Sequence, residues 1–398
     1  RRLRQVNQNL GHTAGDEVVR QIARRLQRVV PGDAVVGRLG GGDFAFCFSE
    51  GAEPALAEDC VRGLLEQLAD PIELSGQTVQ LEAHAGVALY PQHGGAAVEL
   101  LKNADAANQS LDNSVPGVSL FEHEINFLLA QRFRLEHDLH LALEQKQFSL
   151  VYQPQISLAT GEVVGCEALL RWLHPERGWI SPGDFIPLAE ETGLILPIGE
   201  WVLATACAQA ARWRLLGRPL SMAVNLSAIQ FRQPEITERV AAIMAVTHLP
   251  PHLLELEITE GVAADDPKRI VRIMERFAAM GVQLAIDDFG TGYSSLSYLR
   301  HFPVGKLKID ASFVSDLARH QDAEAVVRSI ISLGHNLRMK VIAEGVETAE
   351  QARLLRAYGC EEIQGYWLGR PLPPSDFEAW YLAYEQRRLF EAPDSLIE

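Results

Sequence analysis

Between Phe148 and Tyr366 the sequence sets down eight short apolar runs that alternate with stretches of helical pattern. They are Phe148–Gln153, Val163–Leu170, Met222–Asn225, Leu254–Ile258, Gln283–Asp287, Leu307–Ile309, Lys340–Ala343 and Glu362–Tyr366. Eight strands alternating with helices over about 240 residues is the arithmetic of a (β/α)8 barrel. In such barrels chemistry gathers at the C-terminal strand ends and the loops after them. The polar residues fall there. Glu167 and Arg171 flank the end of the second run, and Asn225 closes the third. Glu257 and Glu260 end the fourth, and Asp287 and Asp288 the fifth. Lys308 lies in the sixth, Glu344 and Glu347 come after the seventh, and Gln364 lies in the eighth. Each alone reads as a solvated strand end or a helix N-cap. Together, seven strands each bring an acid, an amide or a lysine to one rim, and chance does not explain that.

The most demanding stretch is Gln283–Leu296, where Leu284-Ala285-Ile286 runs into two adjacent carboxylates and then Phe289-Gly290-Thr291-Gly292. Adjacent acids at a buried strand end repel, and each costs several kcal/mol to desolvate unless a cation neutralises it. A helix N-cap is the bland reading of Asp before a Gly-rich turn. A divalent metal is the other, and a pair of acids can bridge or split two ions. In Lys306-Leu307-Lys308-Ile309-Asp310 the polar residues share one face, although strands enclosed on both faces should be nearly all apolar. A lysine buried among carboxylates needs a purpose, and handling water beside a metal supplies one. Four carboxylates and an asparagine, all oxygen ligands, suit Mg²⁺ or Mn²⁺ and not zinc.

The totals narrow the field. A chain of 398 residues makes two or three domains. With 36 basic and 52 acidic residues the net charge is −16, which argues against a nucleic-acid polymer as partner. The 5 cysteines form no metal-binding spacing, and free thiols in a reducing cytosol are expected, which places the chain in the cytoplasm. No apolar stretch reaches the roughly 18 residues of a membrane span. The chain opens on Arg1-Arg2 in what reads as mid-helix, without Met. We expect a fragment, with membrane attachment only through a segment outside this chain.

The first 120 residues read as a smaller α/β domain. A helix begins after Gly11-His12, with Val18, Val19, Ile22 and Leu26 on one face, and Pro31-Gly32 ends it. Val35–Leu39, a turn at Gly40-Gly41-Gly42-Asp43 and Phe44–Phe48 make a hairpin signal. Its glycine tip is a tight turn or a phosphate cradle. A helical stretch at Leu56–Leu68, strand character over Val79–Tyr90 and a helix around Val98–Leu111 complete the domain.

Asn7, Gly11-His12, Gly15-Asp16 and Arg38-Leu39-Gly40-Gly41-Gly42-Asp43-Phe44 resemble the GGDEF family of diguanylate cyclases over about residues 1–122. The resemblance implies a cyclase-like α/β fold, truncated at its N-terminus. It also shows a departure: the signature's metal-binding third position is Gly42 and its fourth the shorter Asp43. The family's Asp-rich strand would precede Arg1, and its inhibitory product site would fall on Pro31 to Ala34 and is missing. Glycine offers no carboxylate to hold Mg²⁺, so we expect no cyclase activity. Asn7 and Asp16 match guanine-contacting positions of the family, which leaves GTP binding as a regulatory signal.

Residues 123–147 carry no Pro or Gly, and Leu128, Phe133, Leu135, Leu139 and Leu143 recur every few positions. That is a helical connector, one helix or two, able to transmit orientation or merely to space the domains. Beyond it, residues 148–388 form the barrel domain, and 389–398 a tail.

In the barrel, Tyr152-Gln153-Pro154, Glu167-Ala168-Leu169-Leu170-Arg171, Val224-Asn225-Leu226-Ser227 and Glu257-Ile258-Thr259-Glu260 carry the second resemblance, together with Asp287–Gly292, Lys308-Ile309-Asp310, Glu344-Gly345-Val346-Glu347 and Gln364-Gly365-Tyr366. This set is similar to the EAL family of cyclic di-GMP phosphodiesterases. The resemblance implies hydrolysis of cyclic di-GMP to linear pGpG at a two-metal site. It puts Glu167, Asn225, Glu257 and Asp287 on one metal and lets Asp287 bridge to a second, shared with Asp288 and waters. Lys308, Glu344 and Gln364 orient those waters, Gln364 counting with the metal-binding set. Glu344 or Lys308 takes the proton, while Arg171, Gln153 and Glu347 contact substrate. Glu260 braces the Phe289–Ser294 loop, which in the family also couples the site to dimerisation through this domain. The alternative is a cyclic di-GMP receptor that binds without turnover.

Overall fold

The computed structural model describes residues 12–30, 34–47, 54–74, 77–79, 83–111, 117–263, 267–290, 299–317 and 321–390. The chain divides into two compact units, Arg1–Leu135 and Glu136–Glu398. In the first, the helix His12–Val29 buries Val18, Val19 and Leu26, the face the spacing picked out, with Ile22 partly covered. The expected hairpin forms from β1 (Val35–Gly40) and β2 (Asp43–Cys47), antiparallel across the glycine turn. Gly41 turns the chain there at φ 50°, a conformation glycine adopts without strain. The helices Pro54–Leu68 and Ala97–Ser110 lie where helical periodicity put them. A second hairpin, β3 (Ile72–Leu74) with β4 (Gln77–Val79), was not legible in the sequence. β5 (Ala85–Val87) pairs in parallel with β6 (Val118–Leu120). At Gly86 an added Cβ would lie 1.9 Å from the Ala104 carbonyl oxygen, so the helix Ala97–Ser110 packs on bare backbone. The connector is one helix, His123–Ala142, with Leu139 and Ala142 buried.

The second unit is the barrel. Its strands are β7 (Phe148–Ser157), β8 (Val163–His174), the short β9 (Gly178–Ile180), β10 (Ser221–Asn225), β11 (Leu254–Thr259), β12 (Gln283–Phe289), β13 (Lys306–Ile309), β14 (Lys340–Ala343) and β15 (Glu362–Gln364). β8 and β10 to β15 pair in parallel in that order, and β9 folds back on β8 as a hairpin. β7 closes the ring, antiparallel to both β8 and β15. This corrects a strictly repeating β/α scheme, because no helix separates the first two strands. Their link is a tight turn in which the Gly161 amide donates to the Ser157 carbonyl at 2.8 Å. A parallel crossover needs about a dozen residues, and a link this short allows only an antiparallel return.

Outside the ring the helices Ile195–Leu215 and Pro267–Met280 bury apolar faces, among them Leu203, Ala206 and Ala210 on the first and Ile270, Met274 and Phe277 on the second. Inside, the ring is polar. Barrels of this kind are usually filled by layers of bulky apolar side chains from alternate strands. Here the alternate strands β8, β11, β13 and β15 supply Glu167, Glu257, Lys308 and Gln364, all buried. Two residues earlier on the same strands, hence on the same inner face, lie Gly165, Glu255, Lys306 and Glu362. The barrel thus holds an upper polar layer at its C-terminal rim and a lower one beneath. Among the described residues no helix is long and apolar enough to cross a membrane.

Candidate active site

Lys308 is the centre of the upper layer. It is 1% exposed, and its Nζ lies 2.6 Å from Glu344 Oε1, 2.7 Å from Glu257 Oε2, 3.0 Å from Asp287 Oδ1 and 3.5 Å from Glu167 Oε2. One ammonium therefore faces four carboxylates. Glu167 is held from two further sides: Asn225 Nδ2 donates to its Oε1 at 2.6 Å, and Gln364 Nε2 to its Oε2 at 2.6 Å. Gln364 Nε2 also donates to Gln153 Oε1 at 3.1 Å, which ties the antiparallel strand β7 into the site.

Asp287 and Asp288 are adjacent in sequence, and in a regular strand their side chains would point to opposite faces. The β12–β13 register slips between Ile286 and Phe289, and Asp288 takes φ 52°. Bulges of this kind re-aim side chains at barrel rims, and aspartate is among the few residues that tolerate a left-handed backbone. The Asp288 amide donates to Asp287 Oδ1 at 3.0 Å. As a result, carboxylate oxygens of Asp287, Asp288 and Glu344 all lie within 4.8 Å of one another. Glu344 reaches this group because the chain after β14 crosses close to two neighbours. A Cβ on Gly345 (φ 66°) would sit 2.5 Å from Ala311 Cβ, and one on Gly365 would sit 2.1 Å from the Val346 carbonyl oxygen.

The electrostatics result from one cation among so many acids. Burial pushes the Glu167 carboxyl up, but Lys308 and the Gln364 and Asn225 hydrogen bonds outweigh it and hold Glu167 below the usual carboxylate range. Burial, with Glu167 next in weight, drives Glu257 well above that range. Burial also lifts Glu344 to about 8 against the pull of Lys308, and burial with the Asp287 charge lifts Asp288 to about 6. Lys308 is held well above its ordinary value by the carboxylates around it, against its own burial. Glu257 Oε1 is buried without a hydrogen-bond partner among the described residues. Surplus carboxylate charge, an orphaned buried oxygen and an all-oxygen donor set fit a hard divalent cation.

Of the residues singled out in the sequence, Glu167, Asn225, Glu257, Asp287, Asp288, Lys308, Glu344 and Gln364 converge here. Gln153 joins through Gln364, and its own Nε2 donates to the Gly369 carbonyl at 3.2 Å. Arg171 is half-buried four residues beyond Glu167 on β8, and burial lowers its guanidinium pKa. Glu347 is exposed on the loop after β14. One assignment changes. Gln364 turns its nitrogen towards Glu167, and its carbonyl accepts from Gln155 Nε2 at 3.0 Å. An amide nitrogen does not ligate a metal, so in this geometry Gln364 braces Glu167 and leaves the metal-binding set. The Glu260 side chain and residues 291–298 lie outside the described residues, as does Asn7; Asp16 is exposed on the helix His12–Val29.

Four polar residues of the barrel interior went unassigned in the sequence. Lys306 Nζ lies 2.9 Å from Glu255 Oε2 and 2.8 Å from Glu362 Oε2, closing a buried triad beneath the site. Gln155 lies against Gln364. The signal was present: Gln153/Gln155, Glu255/Glu257, Lys306/Lys308 and Glu362/Gln364 repeat one i, i+2 pattern on four strands.

Comparison with known proteins shows the family. The EAL domain model matches residues 136–371, and the diguanylate cyclase, GGDEF domain model matches residues 1–114. The chain belongs to the EAL domain family. Its GGDEF domain precedes the EAL domain. It is 43% identical over 370 residues to the bifunctional diguanylate cyclase/cyclic di-GMP phosphodiesterase MucR of Pseudomonas aeruginosa, covering 92% of this chain and 54% of that protein. It is 37% identical over 383 residues to the cyclic di-GMP phosphodiesterase NbdA of the same organism, covering 96% of this chain and 49% of that protein. The chain thus spans about half the length of the curated relatives it matches. A solved MucR phosphodiesterase in complex with c-di-GMP superposes with a TM-score of 0.60 at 47% identity, over 61% of this chain and 99% of that one.

Proposed function

We propose that this chain is a divalent-metal-dependent phosphodiesterase that opens cyclic di-GMP to linear pGpG. The observation that carries the reading is Lys308 facing four carboxylates at the rim of an EAL barrel, with Asp288 adding a fifth. Glu167, Asn225, Glu257, Asp287 and Asp288 would hold Mg²⁺ or Mn²⁺. When bound, the ions supply Lewis-acid neutralisation of the phosphodiester charge and activation of water.

The chain's own groups do the rest. Lys308 keeps Glu167, Glu257, Asp287 and Glu344 gathered in one place, and Glu344 Oε1, at 2.6 Å from Lys308 Nζ, can pass a proton to or from it. Arg171 meets the phosphate charge that grows during in-line displacement. Gln153 and Glu347 orient substrate, the latter towards a guanine. In the GGDEF domain, Gly42 stands where a metal-binding acid is needed, so this domain acts as a regulator, reading GTP through Asn7 and Asp16.

The test is to incubate the chain with cyclic di-GMP and Mg²⁺ or Mn²⁺, with and without GTP, and to resolve the products by chromatography. Formation of pGpG that stops on chelation is expected. Tight binding without product under every condition would replace the enzyme with a receptor.

A further inference from the structure

Gln155 is 1% exposed on β7, directly across the sheet from Gln364 on β15. Its Nε2 donates to Gln364 Oε1, while its own Oε1 is buried with no hydrogen-bond partner among the described residues. An unpaired buried carbonyl costs about 1–3 kcal/mol, which leucine at this position would avoid. What glutamine supplies at this position, and leucine would not, is the NH₂ group donated to Gln364. Room for it comes from Gly165, where an added Cβ would lie 3.2 Å from Gln155 Oε1.

That NH₂ group decides which way Gln364 faces. An amide can turn end for end within nearly the same envelope. In this structure the Gln364 atom that faces Glu167 Oε2, at 2.6 Å, is the nitrogen Nε2. Turned over, Gln364 would set its carbonyl against the Glu167 carboxylate and against Gln153 Oε1. Gln155, from below, holds the carbonyl end and so locks the useful orientation. Partners behind a metal ligand are typically worth about 10–100-fold in metal affinity or activity. We propose that Gln155 is a positioning residue, which acts through Gln364 to fix the Glu167 carboxylate at the rim. The proposal rests on the metal-dependent reading of that site.

The test is a double-mutant cycle with Gln155→Leu, Gln364→Leu and the pair, reading Mn²⁺ affinity by calorimetry, kcat and KM for cyclic di-GMP, and thermal melting. Gln155→Leu is expected to weaken Mn²⁺ binding and kcat by about 10-fold, with KM within about twofold and melting no lower than the parent's, since an orphan carbonyl is removed. The pair should be no worse than Gln364→Leu alone, as expected when one residue acts only through another. Parent-like Mn²⁺ affinity in Gln155→Leu, or losses that add in the pair, would overturn the proposal. Gln155→Met, equally unable to donate, serves if the leucine variant does not fold. A parent chain that makes no pGpG would instead sink the phosphodiesterase reading, and the Mn²⁺ cycle alone would then decide the role of Gln155.

Discussion

The two polar layers of the barrel sit two residues apart on the same strands, yet they are electrostatically different. In the lower layer Lys306 bridges Glu255 and Glu362 at 2.8–2.9 Å, and Lys340 approaches Glu362 from the exposed mouth at 3.6 Å, so two acids meet two lysines. Those acids lift the Lys306 ammonium to about 12 against its own burial. In the upper layer one lysine faces four acids, with Asp288 beside them, and Glu257, Glu344 and Asp288 are all pushed up. Burial is shared by both layers. Only the upper layer carries surplus negative charge, and that surplus is what a divalent cation would neutralise. Buried charge alone is no mark of chemistry, since structural ion networks also shift pKa values; unbalanced buried charge is the more telling observation.

The comparison can be broken at several points. The largest effect is expected at the centre of the upper layer. Glu167→Ala or Asp287→Ala should reduce cyclic di-GMP turnover below detection, and Lys308→Met by at least about 10²–10³-fold, all measured as pGpG formed per folded protein. Turnover at the parent rate in any of these would remove that residue from the chemistry.

Lys306→Met probes the lower layer. Leaving two buried carboxylates without their lysine should cost about 3–5 kcal/mol of stability, read as a fall in the denaturation midpoint. Replacing the triad together, as Glu255→Leu with Lys306→Met and Glu362→Leu, should recover most of that loss. A lower layer that tolerated Lys306→Met without loss would not be the balanced triad described.

A smaller effect separates the layers by pH. Glu344 rises in the fold from an ordinary carboxylate value to about 8, and Asp288 to about 6. A raised acid contributes stability that is complete below its unfolded pKa and is lost as pH rises through the folded one. The metal-free protein should therefore lose thermal stability between about pH 4.5 and pH 8, and added Mn²⁺ should raise the melting temperature more at pH 8 than at pH 6. Equal stabilisation at both pH values would contradict a charge-driven site. The smallest effect is expected from the first unit: Asp16→Ala should leave basal hydrolysis unchanged and alter only its response to GTP.

Much of this was legible in the sequence because barrels deliver chemistry at strand ends. Glu167, Asn225, Glu257, Asp287, Lys308 and Glu344 could be found from the polar residues that close each apolar run. The direction of β7 could not be read from apolar runs alone; it lay in the shortness of the link through Gly161. The convergence of Asp287 and Asp288 depends on a register slip and a left-handed residue, which no side-chain pattern encodes. The facing of Gln364 depends on Gln155, a partner 209 residues away in the chain. Glu255 and Glu362 were passed over inside their apolar runs, and Lys306 was seen to share a face with Lys308 but given no role. Their i, i+2 spacing from Glu257, Lys308 and Gln364 was the clue that they point inward.

The central claim is that the upper layer's surplus of carboxylates is a divalent-metal site. Its most direct test is calorimetric titration of the metal-free chain with Mn²⁺ at pH 7, repeated in buffers of different ionisation enthalpy. Saturable binding with release of protons is expected, because burial raises the pKa of Glu257, Asp288 and Glu344, and a cation among them favours their ionised forms. Absence of binding, or binding with no proton released in any buffer, would contradict the account.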